Sequence, residues 1–153
     1  MFHPTAPLIS SSTGPNRFQQ SSSIQGSAFE DHVVRILIAQ GWTIALRNHR
    51  HYQAHVEIDI VAEHPDLGQV WLECKGSWES NRNGLERTDS TKKAICDAWL
   101  LSLTTDRRPY WIVTSNPPKE GTSGDLWLKT AIAEGIVAKV LLVPLADELE
   151  EWT

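Results

Sequence analysis

Two carboxylates and one amine fall on two adjacent runs of alternating polarity, and together they could perform chemistry. The first run, residues 55–63, carries Asp59 on its polar face, and the second, residues 69–75, carries Glu73 and Lys75. Because residues two apart in a strand point to the same face, Glu73 and Lys75 are expected on one side, roughly 7 Å apart. Two carboxylates beside an amine can hold a divalent cation and orient a water molecule.

A turn between the two runs determines how these side chains meet. Residues 64–68 read His-Pro-Asp-Leu-Gly, which is typical of a tight turn, so the two runs are predicted to form a β-hairpin. The apolar face of each strand has to be buried, and the hairpin therefore places Asp59, Glu73 and Lys75 on the same side of the sheet. Without a metal, the same residues would be an ordinary ion pair on a solvated surface, with Asp59 a plain strand residue.

A fourth acidic residue lies on a predicted helix, which we expect to begin near Ser23 or Ser27 and to end before Gly41. The residues three, four and seven positions after Glu30 are apolar, which is the spacing of one helical face. Glu30 is therefore expected at the edge of the buried stripe, where a carboxylate is unfavourable unless it meets a cation or hydrogen-bond donors. A cation shared with Asp59 would meet that need.

The remaining patterns complete an α/β order. We predict a short strand at 42–46, the two hairpin strands, a helix from about 89 to 103, and a strand at 110–115, followed by a helix at 125–134 and a strand at 138–144. Such an order favours a mixed central sheet flanked by helices. Residues 1–25 are interpreted as a flexible N-terminal arm, 26–145 as the folded domain, and 146–153 as an acidic C-terminal tail.

Glu30 on the first helix, Ile58-Asp59 on a strand and Glu73-Cys74-Lys75 fourteen residues later resemble the PD-(D/E)xK nuclease superfamily, which has the restriction-endonuclease-like fold. The resemblance extends over about residues 26–143 and includes the αβββαβ order of the core. Two features depart from the family pattern. Ile58 stands where proline is common, and no glutamine follows closely after Lys75, which disfavours the exonuclease-type subset.

The resemblance implies a metal-dependent nuclease that hydrolyses phosphodiester bonds, with duplex or branched DNA as substrate and Mg²⁺, replaceable by Mn²⁺, as cofactor. It implies that Asp59, Glu73 and the backbone carbonyl of Cys74 bind the metal, and that Lys75 orients the attacking water. Glu30 would complete a second metal site or position a metal-bound water. Restriction, mobile-element, repair and junction-resolving nucleases share this core, and the sequence does not choose among them.

Basic residues lie on both sides of the predicted site and are candidates for binding nucleic acid. They are Arg47 and Arg50 before the hairpin, and Arg82, Arg87, Lys92 and Lys93 after it. Lys92 and Lys93 are predicted in the first turn of the second helix, where cations oppose the helix dipole unless an anion binds there. The alternative is a solvated surface with no ligand.

Two other interpretations stay open. His49, His51 and His55 share strand parity, so that with Cys74 a zinc site is conceivable, although the spacing matches no strong zinc pattern. A domain with the same fold that binds nucleic acid or a partner without catalysis is the main alternative. The intact carboxylates and Lys75 speak against it.

Composition limits the remaining classes. The 153 residues carry 14 basic and 19 acidic side chains, a net charge of −5, which argues against a protein that coats nucleic acid by bulk electrostatics. Two cysteines cannot form a disulfide framework, and no apolar run approaches a membrane span, so we expect a cytoplasmic protein without a membrane anchor. One domain of this size has little surface for reading DNA sequence, so a homodimer or a recruiting partner is expected.

Overall fold

The computed structural model describes residues 17–77, 84–143 and 149–153, with side chains from residue 26 onward. Its elements are α1 (Arg17–Ala39), β1 (Thr43–Arg50), β2 (Glu57–His64), β3 (Gly68–Lys75), α2 (Thr88–Ser102), β4 (Tyr110–Thr114), α3 (Ser123–Ala133), β5 (Lys139–Leu142) and β6 (Glu150–Glu151). No helix within these residues is both long and apolar enough to span a membrane. The α/β class predicted from the sequence is confirmed.

The six strands form one mixed sheet in chain order, from β1 to β6. The first three strands are an antiparallel meander, β3, β4 and β5 are parallel, and β6 is antiparallel to β5. A parallel connection needs a crossover, and α2 and α3 supply the two that join β3 to β4 and β4 to β5. Since such crossovers are right-handed, both helices pack on the same face of the sheet.

The sheet is therefore covered on both faces, and each face has its own core. On one face α1 contributes Phe29, Val33 and Leu37. They pack with the alternate strand residues whose side chains point to this face, such as Leu72. On the other face the buried residues come from α2, α3 and strand positions that include Trp71, Tyr110 and Ile112. The side of the hairpin that carries Glu73 is thus covered by α2 and is not an open surface.

A close contact fixes α1 against the end of β3. A Cβ atom added at Gly76 would lie 2.4–2.6 Å from three atoms of the Phe29 ring, so only glycine allows the ring to rest on the backbone there. Phe29 has no exposed surface. This contact brings the next residue of α1, Glu30, to the end of the strand that carries Glu73 and Lys75.

Two boundaries differ from the sequence predictions. The helix α1 begins at Arg17, so residues 17–25, predicted as part of a flexible arm, are helical, and residues 1–16 lie outside the described part of the chain. Glu150–Glu151 were predicted within an acidic tail, but they pair with β5 as β6. Neither segment carries a hydrophobic period in the sequence, and residues 150–151 gain their strand order from pairing with β5.

The helix α2 begins at Thr88, earlier than predicted, with Arg87 as its N-cap. Lys92 and Lys93 consequently lie in its second turn. The prediction that they lie in the first turn was therefore wrong, and since the helix dipole acts mainly within that turn, it gives no argument for an anion beside them.

We predict that Gly76→Ala destabilises the protein by about 1–3 kcal/mol, because the added methyl group overlaps a fully buried aromatic ring. Gly26→Ala is the matched control, since Gly26 lies in α1 and a Cβ atom added there would have no atom within 4 Å. The control should be unchanged or slightly stabilised, since alanine favours a helix. Urea unfolding of both variants checks this, and equal free energies of unfolding would refute the packing role of Gly76.

Candidate active site

Asp59 interrupts the pairing of β2 with β3. The hydrogen-bonded register of the two strands ends at Ile60 opposite Leu72, and its continuation would set Asp59 opposite Glu73. Instead, the Asp59 Oδ2 atom accepts a hydrogen bond from the backbone N–H of Cys74 at 2.7 Å. The carboxylate takes the place of a strand carbonyl, which anchors Asp59 at the end of the hairpin ladder.

Glu73 is the most deeply buried acidic residue of this group, with 2% of its surface exposed. Its Oε1 atom makes an ion pair with the Nζ atom of Lys75, two residues further along β3, and the Lys75 side chain is 20% exposed. A buried carboxylate needs such compensation because water cannot reach it. Glu73 and Lys75 therefore lie on one face, as predicted, and they are in contact.

The electrostatics of the pair follow from this burial. Burial and the negative charge of Glu73 raise the pKa of Asp59 to about 7, although the Cys74 amide and Lys75 oppose the shift. Burial and the surrounding carboxylates also raise the pKa of the Cys74 thiol well above its usual range, which makes the thiol unreactive. Asp59 and Glu73 thus share one site that is largely shielded from water, and Lys75 is in contact with Glu73.

The fourth predicted acidic residue, Glu30, has a different partner from the one we expected. The Arg47 Nε and Nη2 atoms donate hydrogen bonds to Glu30 Oε1 at 2.9 and 2.6 Å, and Arg47 Nη1 lies 2.8 Å from Asp31 Oδ1. These carboxylates raise the pKa of Arg47. Glu30 is close enough to add to the charge acting on Asp59. Arg47 therefore compensates the Glu30 carboxylate in this structure.

The helix α2 brings further charged groups to the site. Lys93 Nζ contacts Asp97 Oδ2 at 2.5 Å. Burial lowers the pKa of Lys93, but the bond to Asp97 and the charges of Glu73 and Asp59 outweigh it, so the pKa is raised overall. Lys93 was predicted only as a DNA-binding residue. Its position shows that it also belongs to the electrostatic surroundings of the two carboxylates.

Tyr110, the first residue of β4, is a site residue that the sequence did not reveal. It is 3% exposed, and its Oη atom has no hydrogen-bond partner among the described residues. Burial raises the pKa of its hydroxyl well above the usual range, and so do the charges of Glu73, Asp97 and Asp59, in that order. A tyrosine at the start of an apolar strand has the sequence pattern of a core residue. Only the pairing of β4 with β3 reveals that these carboxylates are its neighbours.

The other predicted nucleic-acid-binding residues that the structure describes lie on β1 and on α2 or its N-cap. Arg50 is exposed at the end of β1, opposite Glu57, and Arg87 is exposed at the start of α2. Lys92 Nζ lies 5.0 Å from the ring centre of Trp127, and Arg82 falls outside the described residues.

The histidine zinc site suggested as an alternative is contradicted by the surroundings of His51. This residue is buried, its Nδ1 atom accepts the backbone N–H groups of Gln53 and Ala54 at 3.2 Å each, and its Nε2 atom lies 2.8 Å from Asp106 Oδ1. Both ring nitrogens are therefore occupied. His51 closes the turn between β1 and β2 and is not available as a ligand.

The chemistry of the carboxylate pair fits a hard divalent cation. Mg²⁺ and Mn²⁺ prefer oxygen ligands, and a cation would offset the mutual repulsion of Asp59 and Glu73. Within the described ranges, no three His, Cys, Asp or Glu side chains are grouped so that they could hold a metal. A cation here would thus take two carboxylates from the chain and its other ligands from backbone carbonyls and water, as Mg²⁺ commonly does.

Comparison with known proteins places the chain in a family. The model of the family described as "Uncharacterised protein family UPF0102" matches residues 29–105, a range that includes Glu30, Asp59, Glu73 and Lys75. The chain belongs to the UPF0102 family. This family is part of the restriction-endonuclease-like superfamily, so the superfamily expected from the sequence is supported at that level. Tyr110 lies beyond the matched range of UPF0102.

A solved structure agrees with this fold. The crystal structure of an XisH family protein from Nostoc punctiforme PCC 73102 matches the UPF0102 chain with a TM-score of 0.55 and 19% sequence identity, over 81% of this chain and 97% of that one. At this identity the likeness concerns the fold alone, and it is consistent with a restriction-endonuclease-like architecture. No curated protein matches the chain.

The raised pKa of Asp59 predicts how the metal-free protein responds to pH. In the unfolded chain Asp59 ionises near 3.8, but in the folded protein near 7, so the folded state binds more protons between these values and stability falls as pH rises through them. Above pH 7 the ionised Asp59 destabilises the fold by up to about 4 kcal/mol. Asp59→Asn keeps an oxygen for the Cys74 amide and removes this effect.

We therefore expect the Asp59→Asn variant to match the wild type near pH ~4 and to become progressively more stable than it up to pH ~7, in urea unfolding with chelator present. Glu57→Gln, an exposed position on the same strand, is the charge-matched control and should follow the wild type. If Asp59→Asn shows the wild-type pH dependence throughout, the ionised Asp59 carboxylate does not destabilise the fold as described above.

Proposed function

We propose that this UPF0102 protein is a Mg²⁺-dependent phosphodiesterase that cleaves DNA, with an active site of the PD-(D/E)xK type. The observation that supports the proposal is the pair formed by the partly buried Asp59 and the buried Glu73, with Lys75 in contact with Glu73. The pair combines two oxygen ligands for a hard cation with an amine that can act on water. The finding that UPF0102 belongs to the restriction-endonuclease-like superfamily is consistent with this activity.

Each residue has a separate task in this proposal. Asp59, Glu73 and the backbone carbonyl of Cys74 would hold the Mg²⁺, which when bound activates water and stabilises negative charge on the phosphate. The Cys74 amide holds the Asp59 carboxylate in place. Lys75 compensates Glu73 in the metal-free protein, and with a cation bound its amine is free to orient the attacking water and to contact the phosphate.

Glu30 would join a second metal site or position a metal-bound water only if Arg47 releases it, since the two residues are bonded in this structure. The proposed catalytic set is therefore Asp59, Glu73 and Lys75, and Glu30 is an addition to it that depends on substrate. DNA phosphates approaching the site are one source of negative charge that could draw Arg47 away.

Binding of DNA would involve the cations nearest the carboxylates. Lys93 on α2 is exposed at its amine and close enough to the site to respond to Glu73 and Asp59. Arg50 on β1 and Arg87 at the N-cap of α2 are exposed as well. Because the chain carries a net charge of −5, its contacts with DNA would be limited to these local cations. Duplex or branched DNA would therefore follow a narrow path across them. A homodimer would double the number of such contacts.

The activity is tested with labelled duplex, branched and single-stranded DNA and RNA, incubated with Mg²⁺, Mn²⁺ or chelator. We predict metal-dependent cleavage of at least one DNA substrate by the wild type. Glu73→Gln should reduce it by at least about 100-fold, since a lost ligand affects activity more than the roughly 10–100-fold typical of its outer-shell partners. Glu63→Gln, an exposed glutamate on β2 that accepts a bond from Gln69, is the control and should cleave normally.

Absence of cleavage with every substrate, together with DNA binding that is indifferent to metal, would contradict the enzyme and support a non-catalytic DNA-binding domain with the same fold. Cleavage that survives Glu73→Gln would show that the activity belongs to another site or to a contaminant.

The path of the DNA gives a separate prediction. Lys93→Gln should weaken duplex binding uniformly across sequences and lower the slope of log K against log salt by about 0.9, the value for one lost phosphate contact. Lys139→Gln is the charge-matched control, because Lys139 packs on Trp111, whose side chain belongs to the core on the α1 face of the sheet. Fluorescence anisotropy at several salt concentrations measures both slopes, and equal slopes for both variants would remove Lys93 from the DNA path.

A further inference from the structure

The hydroxyl group of Tyr110 is buried without an evident structural purpose. Its Oη atom has no hydrogen-bond partner among the described residues, and the side chain packs in the core between the sheet and α2. An unpaired buried hydroxyl is unfavourable, and phenylalanine would fill the same space without that cost. The adjacent Glu73 carboxylate is the natural acceptor: its interaction with the hydroxyl already raises the pKa of Tyr110, although the two groups do not reach hydrogen-bond geometry in this structure.

The register of the sheet identifies that partner. Tyr110 pairs with Trp71 and Ile112 pairs with Glu73 across the parallel strands β4 and β3, so Tyr110 and Glu73 lie on one face. Glu73 is also the carboxylate whose charge acts most strongly on the Tyr110 hydroxyl, ahead of Asp97 and Asp59.

Each of the three carboxylates has a partner at one of its oxygens. Asp97 Oδ2 is bonded to Lys93 Nζ, and Asp59 Oδ2 holds the Cys74 amide. Glu73 is bonded through Oε1 to Lys75. Of the three carboxylates, Glu73 is the one whose present partner has to move if Lys75 is to act on water or phosphate, which would leave the carboxylate in need of a donor.

We propose that Tyr110 is a positioning residue of the site, which donates its hydroxyl hydrogen bond to the Glu73 carboxylate when Glu73 leaves Lys75 to bind a divalent cation. This inference rests on the metal-dependent function proposed above. A neutral donor suits the task, because it orients the carboxylate without competing in charge with the cation. Glu73 is 2% exposed, so a donor that belongs to the fold is better placed to orient this carboxylate than bulk water.

The test compares Tyr110→Phe with Tyr52→Phe, which alters the other of the two tyrosines, a side chain that is 66% exposed. In chelator, Tyr110→Phe should unfold at the wild-type temperature or higher, because it removes an unpaired hydroxyl. In calorimetric titration with Mn²⁺, the same variant should bind roughly tenfold more weakly, the effect of one lost charge-assisted hydrogen bond. Tyr52→Phe should match the wild type in both measurements.

An ultraviolet difference spectrum upon Mn²⁺ addition gives a second readout that does not depend on the folding of Tyr110→Phe. A shift of the phenol band that persists in Tyr52→Phe must come from Tyr110, because the chain has two tyrosines. Wild-type Mn²⁺ affinity in Tyr110→Phe, or a spectrum without a phenol shift in Tyr52→Phe, would overturn the role of Tyr110 alone. Absence of Mn²⁺ binding by the wild type would overturn the proposed function and this inference with it.

Discussion

Placing a carboxylate in the centre of a sheet that is covered on both faces requires compensation, and Glu73 is in that position. It lies on β3 between an antiparallel and a parallel neighbour, with α2 above it and 2% of its surface exposed. Lys75 supplies the compensating charge from the same strand. An apolar residue would be easier to accommodate there, because burying an ion pair seldom stabilises a fold relative to apolar packing. The strand therefore retains an arrangement that packing alone would not favour.

The neighbouring structure follows from that constraint. Asp59 would face Glu73 directly if the β2–β3 ladder continued, and like charges opposite each other are unfavourable. The ladder ends instead, and the Cys74 amide holds the Asp59 carboxylate. The neighbouring strand β1 is also irregular at this position. Asn48, which lies between the partners of Ile60 and Ile58 on β1, adopts a φ of 48°. Such local strain is typical of functional sites.

Much of this could be predicted from the sequence because it depends on local periodicity. The alternation of residues along β3 was enough to place Glu73 and Lys75 on one face. Along β2 the alternation breaks at Asp59, because Ile58 packs in the core with Trp71 and Ile60 packs in the core with Leu72. The remaining features are non-local: Arg47 reaches Glu30 on a helix packed on the sheet, and Tyr110 joins the site only because β4 pairs in parallel with β3. Tyrosine in an apolar strand has the pattern of a core residue, so composition and spacing could not distinguish its role.

The central claim is that the carboxylate pair is a divalent cation site, and anomalous diffraction from crystals soaked in Mn²⁺ tests it most directly. We expect one strong anomalous peak between Asp59 and Glu73, within bonding distance of both carboxylates, with the Lys75 amine displaced from Glu73. An anomalous map without a peak at this position, with Lys75 still bonded to Glu73, would contradict the claim. The site would then be a buried ion pair of structural origin.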